Sequence, residues 1–202
     1  MATLRRINQR LSLCIDDCTP VDIDFEAVVA ARCRPGVKKQ GILKACKLKP
    51  NLKVLDATAG FGRDAAVLAS TGAEVVMCER EPMLAALLQD GLARLHPNAG
   101  LKLQLIEQDA KDYLVTLDAC DYPDVIYLDP MHPTRQKSAR VKKDLYALQM
   151  LLGADDNPMA LLTAARTYAK LRVVVKWPLK QPALLPPNYE VKGKTVRFDV
   201  YI

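Results

Sequence analysis

Histidine is scarce in this chain, and its cysteines follow no paired spacing. The only histidines are His96 and His132, and the cysteines are Cys14, Cys18, Cys33, Cys46, Cys78 and Cys120. Cys14 and Cys18 look like half of a zinc site. No second pair follows, which argues against a structural zinc. No apolar run approaches the roughly 20 residues of a membrane span. With no secretory leader in view, the irregular cysteines read as those of a reduced, cytoplasmic protein rather than as a disulfide framework. Linkers, low-complexity tracts and internal repeats are missing too. The first fifteen residues hold Arg5, Arg6 and Arg10 but no acid. This weakly echoes an organelle transit peptide and reads here as an ordinary basic amino terminus.

What is present is apolar material for a core: 202 residues, half of them hydrophobic. That length suggests one domain, or one domain with a small appendage. Lys and Arg number 29 against 23 Asp and Glu, a net charge of +6. An excess of this size fits either a solvated surface or a polyanionic partner. Residues 1–50 are irregular. "LSLCI" and "VDIDF" suit short strands, "EAVVAARCR" a helical stretch, and "ILKACKL" a short helix before Pro50. Between them "RCRPGVKKQG" is basic and turn-rich. This segment is too short for a core of its own. It is expected to pack on a domain of residues 51–202, with possible RNA contact.

From Lys53 the pattern becomes regular. "KVLDA", "EVVMCE", "KLQLIEQD", "PDVIYLDP" and "LRVVVKWP" are apolar strands separated by helical stretches, including ones near 139–152 and 158–169. The tail "YEVKGKTVRFDVYI" suits two strands turned at Gly193. Near-continuous apolar strands alternating with helices predict an α/β fold, a mostly parallel seven-stranded sheet covered on both faces. A C-terminal antiparallel hairpin marks the Rossmann-like class I S-adenosylmethionine-dependent methyltransferase variant. Ligands in such sheets sit at the carboxyl ends of the strands, so the residues just after each strand carry the information.

After the first of these strands come Asp56, Gly60, Gly62, Arg63 and Asp64. The glycines permit a tight turn and close backbone approach, and with Ala65 they satisfy a loose dinucleotide fingerprint. A bare chain reversal would use them as well. Asp56, preceding them, suits a cofactor with a positive amino group, as S-adenosyl-L-methionine has, and would repel a pyrophosphate. After the second strand, Glu79 stands about twenty residues on, where an acid accepts from ribose hydroxyls. Its neighbour Arg80 lines the adenosine or faces solvent. After the third, Asp109 either holds an adenine amine or caps the next helix.

The most discriminating stretch follows the fourth strand: "LDPMHP", with Asp129, Pro130 and His132. An exocyclic amine on a purine is a poor nucleophile. A side-chain oxygen and the next carbonyl can accept its two hydrogens and turn its lone pair toward a methyl donor. Proline fixes the carbonyl's direction. A flat side chain, here His132, stacks on the extruded base. A plain strand-ending Asp-Pro turn is the simpler reading. Arg135, Lys137, Arg140, Lys142 and Lys143 follow at the same sheet edge, with Lys176 at the end of the fifth strand. Phosphate contacts would explain that placement, and a solvated helix start would as well. Trp177 suits base stacking or packing.

"DATAGFGRDAAVLAS", "EREPMLAALLQDGLARL", "YLDPMHPTRQKSARVKKD" and "RVVVKWP", with a fainter "RFDVY", resemble the RsmJ-type small-subunit ribosomal RNA guanine-N2 methyltransferases, over about residues 22–201. The resemblance implies an S-adenosylmethionine-dependent enzyme. Its implied target is the N2 amine of a guanosine near the 3′ end of small-subunit rRNA, presented by the assembled small ribosomal subunit. It implies cofactor contacts at Arg63, Asp64, Glu79, Arg80, Asp109, Ala110 and Asp129. His132 stands where that family usually has phenylalanine, and Asp109 and Ala110 replace a pair of small hydroxyl residues. Other readings are amino-group methylation of another RNA, DNA or protein, an NAD-type oxidoreductase, and a catalytically silent RNA-binding assembly factor. The default oligomeric state is a monomer.

Overall fold

The computed structural model describes residues 2–16, 18–33, 40–130 and 157–202. His132, the basic run Arg135, Lys137, Arg140, Lys142 and Lys143, the expected 139–152 helix and the middle of "RCRPGVKKQG" lie outside them. The chain opens with a hairpin of which the sequence announced only the second strand, "LSLCI". Strand β1 (Ala2–Ile7) pairs antiparallel with β2 (Arg10–Ile15). Asn8 and Gln9 turn it with positive φ values of 49° and 65°, the twist that suits a two-residue hairpin. The basic amino terminus is therefore ordered strand. "VDIDF" is not a strand. Val21 makes a single bridge to Leu13, and the Asp24 carboxylate accepts from the Ala27 N–H at 2.8 Å to start helix α1 (Phe25–Arg32). A capping acid four residues into that stretch favours helix over extended backbone. Helix α2 (Gly41–Cys46) leads toward the sheet.

The five apolar runs form β3 (Lys53–Asp56), β4 (Glu74–Cys78), β5 (Lys102–Ile106), β6 (Val125–Leu128) and β7 (Arg172–Pro178). Between them stand α3 (Arg63–Ala69), α4 (Pro82–Ala93), α5 (Ala110–Leu114) and α6 (Pro158–Tyr168). Pro82 opens α4 where its missing N–H does no harm. The Asn157 side chain caps α6 by accepting from the Ala160 N–H at 2.9 Å. The tail forms β8 (Tyr189–Lys192) and β9 (Val196–Tyr201).

The seven-stranded sheet has the order β5-β4-β3-β6-β7-β9-β8. All neighbours from β5 to β7 are parallel, and β9 runs antiparallel between β7 and β8. Because side chains alternate along a strand, each strand feeds two cores. Val54, Met77, Val125, Tyr127 and Val174 pack with Leu68, Leu84 and Leu88 of α3 and α4 and with Leu13, Ile23 and Phe25 of the amino-terminal segment. Leu55, Ile126, Leu128, Val173 and Val175 pack on the other face with Leu114 of α5 and Leu162 and Ala165 of α6. Among the described residues, no helix is long and apolar enough to cross a membrane.

Two features fix the sheet's functional edge. The parallel strands are added outward from β3 in one direction to β5 and then in the other from β6, so the crevice expected of open α/β sheets lies between β3 and β6, where Asp56 and Asp129 emerge. Beyond β7, the buried Arg197 donates from Nε to Asp199 Oδ1 at 2.7 Å, and its Nη1 reaches the carbonyls of Pro178, Leu179 and Gln181 at 3.0, 3.0 and 2.8 Å. One guanidinium thereby holds the turn that follows the strand.

Gly91, inside α4, is where the amino-terminal segment docks. A Cβ there would stand 2.8 Å from Ile23 Cγ2 and 3.1 Å from Phe25 Cε2. Alanine is the better helix former by about 1 kcal/mol, but Ile23 is β-branched, buried and stiff. Gly91→Ala should therefore destabilise the protein, by about 1–3 kcal/mol as for other overpacked cores. Urea-unfolding midpoints of the two proteins check this, and a more stable variant would show that the contact yields.

Candidate active site

Four strand ends supply the site. Asp56 closes β3 with 1% of its surface exposed. Its carboxyl accepts from the Thr58 N–H at 3.2 Å. Burial, reinforced by the charges of Asp64, Asp129 and Glu79, pushes its pKa up to about 8. The glycine turn follows, with φ of 54° at Gly60 and 66° at Gly62. Gly62 also admits no side chain, because a Cβ would meet Phe25 Cε1 at 2.7 Å and Leu88 Cδ2 at 2.8 Å. Arg63 opens α3 with its guanidinium 5.5 Å from the Phe61 ring centroid, and Asp64 stands in the helix's first turn.

Glu79, after β4, ties two loops together. Its Oε2 accepts from the Gly60 N–H at 2.8 Å and its Oε1 from the Glu81 N–H at 2.9 Å. Burial raises its pKa, against the pull of these backbone donors. A carboxylate has about four acceptor positions, so capacity for ribose hydroxyls remains. After β5, Asp109 does cap α5: its Oδ1 accepts from the Lys111 N–H at 2.9 Å. Its Oδ2 lies 3.2 Å from Arg80 Nη1, so these two candidates meet each other. Ala110 is the buried first residue of α5.

Asp129 follows β6. Its N–H donates to Thr58 Oγ1 at 2.7 Å, fastening the Asp-Pro turn to the glycine loop. Its Oδ2 accepts from Lys176 Nζ at 2.6 Å. Lys176, expected at a phosphate-binding edge, has its ammonium engaged by two acids of the site, since it also donates to Asp64 Oδ2 at 2.9 Å. The reason is register. Leu128 pairs with Val175 in the parallel β6–β7 ladder, so the next residues of the two strands stand side by side. Asp64 takes two further donors, the Tyr127 hydroxyl at 2.7 Å and Arg32 Nη1 at 3.0 Å.

These bonds sort the carboxylates. Burial lifts Asp64, but the Lys176 charge, the Lys176 and Tyr127 hydrogen bonds and Arg32 outweigh it and hold Asp64 below the ordinary range. For Asp129 burial is the larger influence. It leaves the pKa raised although Lys176 pulls it down. Burial also works against the Lys176 ammonium, and the two carboxylates more than compensate. Trp177 is packing: it is 5% exposed, and its Nε1–H donates to the Pro182 carbonyl at 2.7 Å.

Sequence reasoning did not single out Thr58, Tyr127 or Arg32, or the inward turn of Lys176. A lysine inside the apolar run "VVVKW" was the available signal, since a charge there needs a partner. Nothing local marks Arg32, which lies 32 positions from Asp64 along the chain.

The chain matches, over residues 2–202, the family described as "Putative SAM-dependent methyltransferase". It is 48% identical over 196 residues to Ribosomal RNA small subunit methyltransferase J of Legionella pneumophila, spanning 96% of this chain and 81% of that relative. Among solved structures, a SAM-dependent methyltransferase from Neisseria gonorrhoeae matches with a TM-score of 0.74 and 35% identity, over 96% of this chain and 79% of that one. The T. thermophilus 16S rRNA N2 G1207 methyltransferase, solved with AdoMet and guanosine, matches with a TM-score of 0.55 and 21% identity, over 100% of this chain and 50% of that one. At that identity the likeness is one of fold, and the fold is that of the class I methyltransferases.

Asp56 makes a prediction of its own. Folded, it keeps its proton to about pH 8, and its ordinary value is 3.8. Between those values the native state holds the extra proton, so stability falls as pH rises through the window. Urea midpoints of the wild type should therefore drop from about pH 4 to about pH 8 more steeply than those of Asp56→Asn. Parallel curves would mean that Asp56 is ionised in the fold.

Proposed function

Because the chain belongs to the SAM-dependent methyltransferase family that it matches along residues 2–202, we propose that it methylates the N2 amine of a guanosine in small-subunit ribosomal RNA. The observation that carries this reading is the Asp129-Pro130 turn, held at the switch point of the sheet by Thr58 from one side and Lys176 from the other. The named activity of the Legionella relative supports the choice of RNA.

The residues present suit the cofactor. Asp64, Glu79 and Asp129 line the strand ends with acidic groups, and the buried Asp56 would ionise more readily beside a cation, so the site favours a cationic ligand and disfavours a pyrophosphate. Bound S-adenosylmethionine supplies a methyl group on a positive sulfur. The loop of Gly60 and Gly62 lets backbone approach it, and Glu79 accepts from its ribose. Arg63, Arg80, Asp109 and Ala110 line the adenosine side, and Asp64 acts through Lys176.

Asp129 and the carbonyl of Pro130 accept the two hydrogens of the target amine and aim its lone pair at the methyl carbon. The positive charge that develops on the nitrogen as it takes the methyl group, which the cofactor would supply from its sulfonium and so leave as a neutral thioether, would face the Asp129 carboxylate. One N–H proton then leaves to that carboxylate and on to water, giving the neutral N-methyl amine. His132 stacks on the base, and Arg135, Lys137, Arg140, Lys142 and Lys143 neutralise phosphates. Residues 1–50 ride on the domain of residues 51–202 and extend the RNA contact. The protein works as a monomer in the cytoplasm, where small subunits are assembled.

The experiment is to map N2-methylguanosine by mass spectrometry in small-subunit rRNA from a strain lacking the protein. One methyl group near the 3′ end should be missing. The wild-type gene should restore it, and Asp129→Ala should not, with turnover in vitro reduced at least about a hundredfold. An unchanged methylation map would overturn the choice of substrate. Glu79→Ala should weaken cofactor binding about tenfold or more in calorimetry, since it removes the ribose acceptor and frees the Gly60 loop. An unaltered Kd would remove Glu79 from the cofactor site.

A further inference from the structure

A lysine inside a buried strand is costly unless its charge is used. Where only stability matters, an apolar residue of similar volume serves as well or better than a buried ion pair. Lys176 stands in β7 after Val173, Val174 and Val175, and it spends its donors on two acids that the chain keeps far apart: Asp64 of α3 and Asp129 after β6. Asp64 is gripped on both oxygens, by Lys176 and Tyr127 at Oδ2 and by Arg32 at Oδ1. It is an anchor. Asp129 differs: among the described residues its carboxylate is held through Oδ2 alone, and its side chain keeps 38% of its surface open.

We propose that Lys176 is the positioning residue of methyl transfer, gripping Asp129 by Oδ2 so that Oδ1 faces the incoming amine as a fixed acceptor. The inference rests on the amino-group transfer proposed above. Among the described residues, the groups facing Asp129 are Lys176 from β7, Asp64 from α3 with Arg32 of α1 behind it, Tyr127 from β6, and Asp56 and the Thr58 hydroxyl from the β3 side. Lys176 and Arg32 are the cations in this set. Without the Lys176 ammonium, the Asp129 carboxylate faces that of Asp64 with no cation between them. Carboxylates so placed share protons rather than all ionise. A protonated Asp129 would be free to turn and would offer the amine a weaker acceptor. The same geometry separates Lys176 from a phosphate contact, because its ammonium is engaged from within the site.

The test compares wild type with Lys176→Met, Lys176→Gln and Lys176→Arg on small subunits lacking the methyl group, with kcat followed against pH. In parallel, the Asp129 carboxyl is titrated by carbon-13 NMR without RNA, its signal assigned with Asp129→Asn. The Met and Gln variants should lose about a hundredfold in kcat near neutrality, with cofactor Kd and RNA KM within about twofold. The acid limb of their profile should move up by about one pH unit or more, so that the loss shrinks as pH rises. Misfolding would not reverse in that way. Arg should recover most of the activity, because a guanidinium can bridge two carboxylates.

Wild-type kcat and pH profile in the Gln variant would overturn the inference. So would a loss confined to RNA KM with a reduced salt slope, which would make Lys176 a phosphate ligand. If the wild type itself proves inactive on small subunits, the substrate reading fails and the NMR titration decides alone. A rise of the Asp129 pKa in the Gln variant then upholds Lys176's hold on the carboxylate, and an unmoved pKa overturns it.

Discussion

The ammonium of Lys176, set between Asp64 and Asp129, is the interaction around which the catalytic edge is organised. Parallel strands that end together bring their terminal residues together, and here several of those residues are acids. Asp56, Asp64, Glu79 and Asp129 cannot all be ionised side by side in a poorly solvated crevice. The fold gives each a different environment. Asp56 has burial and acidic neighbours, which outweigh its one backbone donor, so it holds its proton. Asp64 has a lysine, a tyrosine and an arginine, so it is firmly ionised. Glu79 is kept in place by backbone N–H groups. Asp129 has Lys176 and an open side. Titratable groups whose surroundings push their pKa values apart are the mark of divided chemical labour.

Holding that arrangement requires the loops to be stiff, and stiffness comes from bonds between loops rather than within them. Glu79 joins the turn after β4 to the glycine turn after β3. Thr58 joins the glycine turn to the Asp-Pro turn. Arg197 fastens the segment after β7 by three carbonyls, with Asp199 neutralising it in the core. Catalysis by positioning depends on such supports, because small displacements at a reacting centre cost large factors in rate.

The amino-terminal segment takes part in this support. Phe25 and Leu88 occupy the space that a side chain at residue 62 would need, so the segment packs on the underside of the glycine loop. Arg32, from the other end of α1, reaches Asp64. The same short helix therefore touches the loop through an apolar contact and the charge cluster through an ionic one.

Much of the plan was legible in the amino-acid sequence alone. Strand and helix alternation, the apolar runs of β3 to β7, the closing hairpin and the acids at the strand ends all follow from local periodicity and from residue types with narrow uses. The β1–β2 hairpin was legible only in its second strand, because "ATLRRI" alternates weakly and its turn, Asn8-Gln9, carries no glycine. Nor was "VDIDF", where one capping aspartate outweighed the strand-like pattern. The sequence placed Asp129 and Lys176 at the ends of their strands but could not say that they touch. That was decided by the β6–β7 register and by which face of the sheet each side chain takes, and both depend on how strands far apart in the chain pack against a shared core. Local preferences act over a few residues. The charges that make this site pair across 47 and 112 positions, and only the folded sheet brings them within a hydrogen bond.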